Sequence, residues 1–342
     1  MFKMNDWQKF FLVRLPTAAL VIGIVAEVVA YGLSGVTLHR HNVDDLAAAV
    51  VSDPQNYPVV IVGDSTTHNV VHKYRIAGPG QVADLTTHFA AGPPTSMFLL
   101  RRMLESGHRP KLVIFAASVH TLTEPMDHGQ FDTYLTSVWT RPWEKDFLVR
   151  NYPGYVNYQW RPAALNMTTR IGAAAISAVR HPSQSIWSSP VVASNHPVLE
   201  RFQDEEPVTG RLELMINICT GILLPENSAV IEEFGKLSVQ YGFQLVIVWP
   251  PMYPRLHQEI STSGKLASLQ RAVNERMERV GARILFVDAN SWHTYPYFDH
   301  DLIHIRGEGW EQVYANDLTE FIGKSLSGNL AKLDDGEKGS RL

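Results

Sequence analysis

The stretch Val59-Val60-Ile61-Val62-Gly63-Asp64-Ser65 joins an uninterrupted run of apolar residues to a small polar turn. Such a run, rich in β-branched side chains, is typical of a strand that is buried on both faces of a parallel sheet. It predicts a first strand over 58–62, and similar runs predict strands over 112–116, 244–249 and 283–287. Apolar residues at helical spacing predict helices over 95–106, 227–241, 266–280 and 309–326. The alternation predicts an α/β protein, a flavodoxin-like three-layer sandwich with a mostly parallel sheet.

The composition is that of a globular protein with a sizeable core. The chain has 342 residues, of which 45% are hydrophobic, and its formal net charge is −4. This length allows one large domain or two modest ones. Because no long basic stretch or aromatic-interleaved basic patch occurs, nucleic acid is not expected as a partner. The single cysteine, Cys219, excludes an intramolecular disulfide and a multi-cysteine zinc site, and we predict that it is a small core residue.

Residues 15–33 are nearly all apolar or small, and the run is about long enough to cross a bilayer. Basic residues precede it at Lys3, Lys9 and Arg14. The pattern predicts a single-pass anchor within residues 1–34 in the cytoplasmic (inner) membrane, with the remaining chain on the periplasmic or other extracytoplasmic side. A cleaved signal peptide is the alternative. Glu27 either reaches water at the outer interface or makes a polar contact with another membrane protein.

The second and third predicted strands lie much further apart than one crossover helix requires. Residues 35–127 and 225–330 are therefore predicted to form the sheet domain, with residues 128–224 as an insertion or lid. Aromatic residues in this insertion form either a sugar-stacking or acyl-binding surface or a small satellite core. They include Phe131, Tyr134, Trp139, Trp143, Phe147, Tyr152, Tyr155, Tyr158 and Trp160. The tail 331–342 is charged and is predicted to be disordered.

Ser65 and the segment Asp301-Leu302-Ile303-His304 contain the residue types of a serine nucleophile with its base. A serine hydroxyl becomes an effective nucleophile when an imidazole takes its proton, and that imidazole needs an acceptor on its other nitrogen. A residue at the carboxyl end of a buried strand also faces the crevice in which open α/β sheets bind ligands. The pattern predicts Ser65, His304 and Asp301 as one catalytic set. The alternative is a chance occurrence of common residues, and His300 and Asp299 are the neighbouring candidates for the same roles.

Gly63-Asp64-Ser65 and Asp301-Leu302-Ile303-His304, followed by a glycine-containing turn into a helix, resemble the first and last sequence blocks of the SGNH, or GDSL, hydrolase superfamily. The resemblance covers roughly residues 57 to 127 and 225 to 325. It implies that Ser65 is the nucleophile, His304 the general base and Asp301 the residue that orients the base. It also implies that the backbone N–H of Ser65 and of Gly92 stabilise the oxyanion. Gly92 is otherwise a turn residue before a helix.

The third block departs from the pattern of this family. Where the family has an asparagine after the next strand, the chain reads Ala116-Ala117-Ser118-Val119-His120. Either the His120 imidazole or the Ser118 hydroxyl would then replace the asparagine as an oxyanion donor. The alternative is that His120 is a surface histidine at the end of a strand.

Three further residues are predicted to contact substrate: Asp64 beside the nucleophile, His68 one helical turn beyond it, and Trp249 after a buried strand. Trp249 would form a wall of an acyl pocket, next to a loop stiffened by two prolines. His300, Asp301 and His304 are types that bind metals, but no third independent ligand can be identified. Neither a metal ion nor a cofactor is predicted.

An amino-terminal anchor, an outward-facing domain and a relaxed third block together resemble the family branch that contains the alginate O-acetylation proteins and the D-alanyl transfer protein of teichoic acids. This resemblance implies acyl transfer, of acetyl in the first instance, to hydroxyls of an exported polysaccharide through an acyl-Ser65 intermediate. It implies a membrane-bound O-acyltransferase and a polysaccharide synthase as partners. The alternatives are a carbohydrate or lipid esterase of the same fold and a non-catalytic, polymer-binding scaffold for a membrane acyltransferase.

Overall fold

The computed structural model divides the chain into two compact units. One comprises Met1–His41, Thr136–Val138 and Asn157–Glu200, and the other Asn42–Leu135, Trp139–Val156 and Arg201–Leu342. The residues that the structure describes are 7, 10–33, 46, 49, 51–74, 76, 80–87, 92–125, 141–153, 205–299 and 301–327.

The described part of the first unit is helical. A π-helical turn, Phe10–Arg14, leads directly into helix α1, Leu15–Leu33, whose second residue is Pro16. The described side chains of residues 10–25 are all exposed. The predicted transmembrane anchor is unsupported, since within the described residues no helix is both long and apolar enough to cross a membrane. The Glu27 side chain lies outside the described residues.

The second unit contains a parallel sheet in the order β2-β1-β3-β4-β5. Its strands are β1 (Val59–Gly63), β2 (Val82–Thr86), β3 (Leu112–Ala116), β4 (Gln244–Trp249) and β5 (Ile284–Asp288). The prediction of an α/β protein with a parallel sheet is confirmed, and the strand order is the one that flavodoxin-like folds have. Strand β2 is added on one side of β1, whereas β3, β4 and β5 are added on the other side, so the strand order reverses between β1 and β3. Ligands of such sheets bind in the crevice at the carboxyl ends of these strands.

Strand β2 was missing from the predicted elements. It reads Val82-Ala83-Asp84-Leu85-Thr86 and lies at the edge of the sheet. Asp84 stands in its middle, and the Asp84 Oδ1 accepts the Thr86 backbone N–H at 2.9 Å. A polar residue in a five-residue strand breaks the apolar run that identified the other strands, whereas an edge position tolerates it.

Helices cover both faces of the sheet, and the alternation of side chains along β1 shows the two layers. Val60 and Val62 point into one core cluster and Val59 and Ile61 into another. Within the described residues, the α-helices of this unit are α2 (Ser65–Tyr74), α3 (Pro93–Glu105), α4 (Val119–Thr123), α5 (Pro142–Asn151), α6 (Glu205–Ile218), α7 (Pro225–Tyr241), α8 (Pro254–Thr262), α9 (Lys265–Arg279) and α10 (Glu308–Leu326). Helices α3, α7 and α9 pack in the first cluster, and α2 and α10 in the second.

The described parts of the predicted insertion belong to the same compact unit as the sheet. Helix α5 is joined to α3 by a buried ion pair, in which Arg102 Nε lies 2.6 Å from Glu144 Oε1. Trp143 and Phe147 both pack edge-on against Phe98, with ring centroids 5.2 and 5.6 Å apart. These two aromatic residues therefore pack on the main core cluster, to which Phe98 belongs, and form neither a separate satellite core nor a surface open to a ligand along the faces that contact Phe98.

Helix α6 contributes buried side chains, including that of Met215, to the same core cluster, and Cys219 just beyond it is buried as predicted. The Thr123 hydroxyl donates to the Ile218 carbonyl at 2.9 Å, which holds the end of α6 against α4. The other predicted aromatic residues, Phe131, Tyr134, Trp139, Tyr155, Tyr158 and Trp160, lie outside the described residues, as does the tail 331–342.

Candidate active site

The end of β1 requires a glycine. A Cβ atom built on Gly63 would lie 2.0 Å from the Ala116 carbonyl oxygen of β3, a distance that no side chain tolerates. The next backbone N–H, that of Asp64, donates to the same oxygen at 3.3 Å. The close approach of the two strands therefore fixes Gly63, two residues before Ser65, as the point where the chain leaves the sheet.

Ser65 is the first residue of helix α2, and Asp64 caps that helix. The Asp64 carbonyl accepts the His68 N–H at 3.0 Å, and Asp64 Oδ1 accepts the Thr66 N–H at 3.0 Å. The N–H of a first helical residue has no carbonyl partner within its helix, and the positive end of the helix dipole lies there. The Ser65 N–H is therefore available to stabilise a negative charge that forms beside its own side chain.

The structure brings Ser65, His304 and Asp301 together at the carboxyl edge of the sheet. His304 Nε2 lies 2.9 Å from Ser65 Oγ, and His304 Nδ1 lies 2.5 Å from Asp301 Oδ2. The two ring nitrogens of one imidazole thus face a hydroxyl on one side and a carboxylate on the other. This is the arrangement in which a serine can pass its proton to an imidazole whose tautomer is fixed by the carboxylate.

The loop that carries Asp301 and His304 is tightly constrained. Asp301 Oδ1 accepts the backbone N–H of Ile303 and of His304, each at 3.1 Å. Leu302, buried between them, has a φ of 68°, which a leucine adopts only where its surroundings impose it. Its carbonyl accepts the Tyr253 N–H at 2.9 Å. The packing of Leu302 and this bond hold the loop in a shape that positions the imidazole.

Electrostatics favour a charged carboxylate beside a basic imidazole. Burial alone would raise the pKa of Asp301, but its hydrogen bond to His304 and the two loop N–H groups lower the pKa to about 2. Burial alone would lower the pKa of His304, but the Asp301 carboxylate outweighs it and raises that pKa above its ordinary value. Asp301 therefore stays ionised at neutral pH, and His304 is a stronger base than a free imidazole.

Asp64, predicted to contact substrate, is instead buried, and its oxygens are occupied by the protein. Oδ2 accepts the Ser118 N–H at 3.0 Å and the Thr121 hydroxyl at 2.7 Å, and Oδ1 accepts from Thr66. Burial would raise the pKa of Asp64, but the nearby His120 imidazole and these hydrogen bonds lower it. Asp64 joins the end of β3 to the start of α2. The Asp-Ser-Thr order before a helix is the sequence signal of this capping role.

His120 is connected to Asp64 through Ser118. Ser118 Oγ lies 2.7 Å from His120 Nδ1 and 3.2 Å from Asp64 Oδ2. Burial lowers the pKa of His120, although Asp64 acts in the opposite direction, so the imidazole is neutral at neutral pH. The single Ser118 hydroxyl proton is donated either to Asp64 Oδ2 or to His120 Nδ1. In the first case the neutral His120 ring donates from Nδ1 and Nε2 has no proton, and in the second case the proton of the ring is on Nε2, which is the donor that an oxyanion needs. The alternatives of His120 and Ser118 as separate donors thus become one hydrogen-bonded pair.

Gly92 lies immediately before helix α3, and its φ of 64° is one that favours glycine. Its carbonyl accepts the Thr95 N–H at 3.2 Å. Residues 88–91, which precede it, lie outside the described part of the chain. This geometry is compatible with both predicted roles of Gly92, a turn residue before a helix and an oxyanion donor. The N–H of a glycine that precedes the first helical residue is not used in the hydrogen bonds of the helix.

His68 and Trp249, both predicted to contact substrate, are buried. His68 Nδ1 lies 3.0 Å from the Thr86 carbonyl, and burial lowers the pKa of His68 to about 4. Trp249 is 0% exposed and stacks on Phe286 with ring centroids 6.0 Å apart. His68 therefore joins α2 to β2, and Trp249 fills the core below the loop that was expected to border a pocket.

A second histidine–carboxylate pair was missed by sequence reasoning. His257 Nε2 lies 2.6 Å from Asp288 Oδ2, and Ser261 Oγ lies 3.4 Å from the same nitrogen. Because one nitrogen faces both groups, this imidazole cannot relay a proton between them as His304 can. The pair ties helix α8 to the end of β5. The sequence signal that could have identified this pair is Asp288, a carboxylate directly after the predicted strand over 283–287.

Among the described residues, no group of three or more His, Cys, Asp or Glu side chains is arranged to hold a metal ion. His300 lies outside them. No protein-family model matches this chain, and no curated protein matches it at a significant level. The fold and the site thus define an α/β protein with a Ser-His-Asp constellation at the carboxyl edge of its parallel sheet.

Proposed function

We propose that the protein transfers acyl groups, acetyl in the first instance, through an ester formed on Ser65. The observation that carries the proposal is the position of His304, with one ring nitrogen 2.9 Å from Ser65 Oγ and the other 2.5 Å from Asp301 Oδ2. The location at the switch between β1 and β3 supports it, because this is where substrates of such sheets bind.

In the first half of the reaction, Ser65 Oγ attacks the carbonyl carbon of a donor ester while its proton passes to His304 Nε2. The tetrahedral intermediate collapses when the bond to the donor oxygen breaks, and that oxygen takes the proton from His304. The product is acyl-Ser65. In the second half, an acceptor hydroxyl gives its proton to His304 and attacks the acyl carbon, which restores the Ser65 hydroxyl and forms the new ester.

The negative charge on the intermediate requires donors beside Ser65. The Ser65 N–H at the start of α2 is one, and Gly92 N–H and His120 Nε2–H are the proposed others. Asp301 holds the imidazole and stabilises its charged form without taking the proton. Asp64 acts by positioning, since it fixes the turn before Ser65 and accepts the backbone N–H of Ser118, which leaves the Ser118 hydroxyl proton for His120 Nδ1.

The choice of an exported polysaccharide as acceptor rests on the motif resemblance to the SGNH hydrolase superfamily and its polysaccharide-modifying branch. The extracytoplasmic location, the membrane-bound O-acyltransferase and the polysaccharide synthase belong to the proposal on the same ground. Hydrolysis is the second candidate. It is favoured by the exposure of the His304 and Asp301 side chains, 21% and 23%, because water can reach the base.

The test is to incubate the full chain with p-nitrophenyl acetate and measure the intact mass of the protein. The wild type is expected to gain one acetyl group on Ser65, and Ser65→Ala and His304→Ala to gain none there. Ser261→Ala is the matched control, since Ser261 is also a serine beside a histidine, and it should label like the wild type. Equal labelling of Ser65→Ala and wild type would refute the proposal and favour a non-catalytic scaffold.

A further inference from the structure

The loop that carries His304 lies between two short antiparallel segments. Phe298 and Ile305 form an isolated antiparallel bridge. On either side of it, the Asp299 N–H donates to the His304 carbonyl at 2.8 Å and the Arg306 N–H to the Tyr297 carbonyl at 3.0 Å. Side chains alternate between the faces of such a ribbon, and directly paired residues share a face.

The contacts show two different faces. Ile305 is buried, and the Phe298 ring packs edge-on against Tyr253 with centroids 6.3 Å apart. On the opposite face, Arg306 Nε lies 3.8 Å from Asp299 Oδ1, which is the diagonal neighbour expected on the same side. Asp299 also contributes to the raised pKa of His304, in agreement with its place beside the imidazole.

Exposure increases along this face with distance from the nucleophile. The His304 side chain is 21% exposed, those of Asp299 and Arg306 are each 45% exposed, and Tyr297 is 63% exposed. Residues two apart on one face of a strand are about 7 Å apart, which is comparable to one sugar unit. The face thus continues outward from the base as an aromatic ring flanked by an acidic and a basic side chain.

We propose that Tyr297, Asp299 and Arg306 form the acceptor subsite, and that the acceptor is a sugar. This inference rests on the proposed acyl transfer at Ser65. The apolar face of a pyranose ring stacks on the exposed Tyr297 ring. The Asp299 carboxylate accepts hydrogen bonds from sugar hydroxyls, and the Arg306 guanidinium donates to them. One hydroxyl of the bound sugar is then directed toward His304 Nε2, which takes its proton in the second half of the reaction.

The test uses the full chain, with p-nitrophenyl acetate as donor. Acceptors are cellopentaose, chitopentaose and a pentameric oligogalacturonate, with glycerol as a hydroxyl compound that has no ring. The readout is kcat/KM for acetyl transfer to each acceptor, together with the separately measured rate of Ser65 acetylation. For the best sugar acceptor, Tyr297→Ala is expected to lower kcat/KM about tenfold, and Tyr297→Phe to keep most of it, because the stacking ring remains.

Transfer to glycerol and the acetylation rate should be unchanged in Tyr297→Ala. Val239→Ala, which shortens an exposed side chain in the last turn of α7, is the control and should change neither rate. If Ser65 is acetylated but no sugar accepts the group faster than glycerol does, or if Tyr297→Ala leaves sugar transfer unchanged, the subsite is refuted. If Ser65 is not acetylated in the wild type, the proposed function itself fails.

Discussion

His304 Nε2 lies 2.9 Å from Ser65 Oγ, although the two residues are 239 positions apart in the chain. Ser65 is placed by the end of a central strand, and His304 by a loop that leads into the last described helix. Neither local sequence determines this distance, because each only delivers its side chain to the carboxyl edge of the sheet. The sheet order and the packing of α10 against α2 bring the two together.

Acylation should depend on the ionisation of His304. Its folded pKa lies above the ordinary value of 6.5, so the rate should rise with pH and reach half its maximum above pH 6.5. Asp301→Asn removes the charge that raises this pKa, so the half-maximum should move to lower pH while the maximal rate falls about 10³- to 10⁴-fold. The measurement is the pH profile of burst-phase release of p-nitrophenol. A half-maximum at unchanged pH in Asp301→Asn would contradict the assignment of Asp301.

The same pair should affect folding stability with a defined sign. A raised His304 pKa contributes stability that is complete below pH 6.5 and is lost as pH rises through the folded pKa. A lowered Asp301 pKa contributes stability that is present above pH 3.8 and is lost as pH falls toward about 2. Urea denaturation of wild type and Asp301→Asn across these ranges checks both. The difference between them should be largest between the two ranges, where both groups are charged.

Gly63→Ala should destabilise the fold, because the added methyl group would lie 2.0 Å from the Ala116 carbonyl oxygen. We expect a loss of about 2–4 kcal/mol in the free energy of unfolding, measured by urea denaturation. Gly309→Ala in α10 is the control, since nothing lies within 4 Å of its added Cβ. It should be neutral or slightly stabilising. Equal stability of the two variants would mean that β1 and β3 do not approach as described.

Asp64→Asn should lower both stability and acylation. The NH₂ group of the asparagine would face the Ser118 N–H and the Thr121 hydroxyl, which are themselves donors. The lost hydrogen bonds should lower the free energy of unfolding by about 1–3 kcal/mol. Asp84→Asn is the matched control for Asp64→Asn. Asp84 also accepts hydrogen bonds from the threonine two residues further on, but it lies on the edge strand β2. Asp84→Asn should cost stability without slowing Ser65 acetylation in the folded protein. If both variants retain full acetylation rates, Asp64 does not position the site.

His120→Ala should lower the acetylation rate about 10²-fold, as removal of one oxyanion donor does elsewhere. His120→Asn should recover part of that loss, because its amide N–H₂ is also a donor. His72→Ala is the control, since this exposed imidazole lies in the last turn of α2. Rates are compared at saturating p-nitrophenyl acetate. Equal rates for His120→Ala and wild type would exclude His120 as a donor.

The apolar runs were enough to predict β1, β3, β4 and β5 to within one residue. Strands β1 and β3 are buried along their whole length, and β5 has the same apolar pattern although it is half-buried at the edge of the sheet. Strand β2 was not predicted because Asp84, a polar residue tolerated at the edge of the sheet, interrupts its apolar run. The roles of Asp64 and Trp249 depend on partners from distant segments, such as Thr121 and Phe286. The local order Asp-Ser-Thr indicates the capping role of Asp64, but no local pattern shows that its second oxygen is bound by Ser118 and Thr121.

Leu302 adopts a backbone conformation that its own residue type opposes, and it does so because its side chain is buried in the core. The geometry around the imidazole thus depends on the interior as well as on the hydrogen bonds within the turn that carries it. On heating, activity and cooperative unfolding should therefore disappear together, since no separate softening of this loop can precede loss of the packing that imposes it.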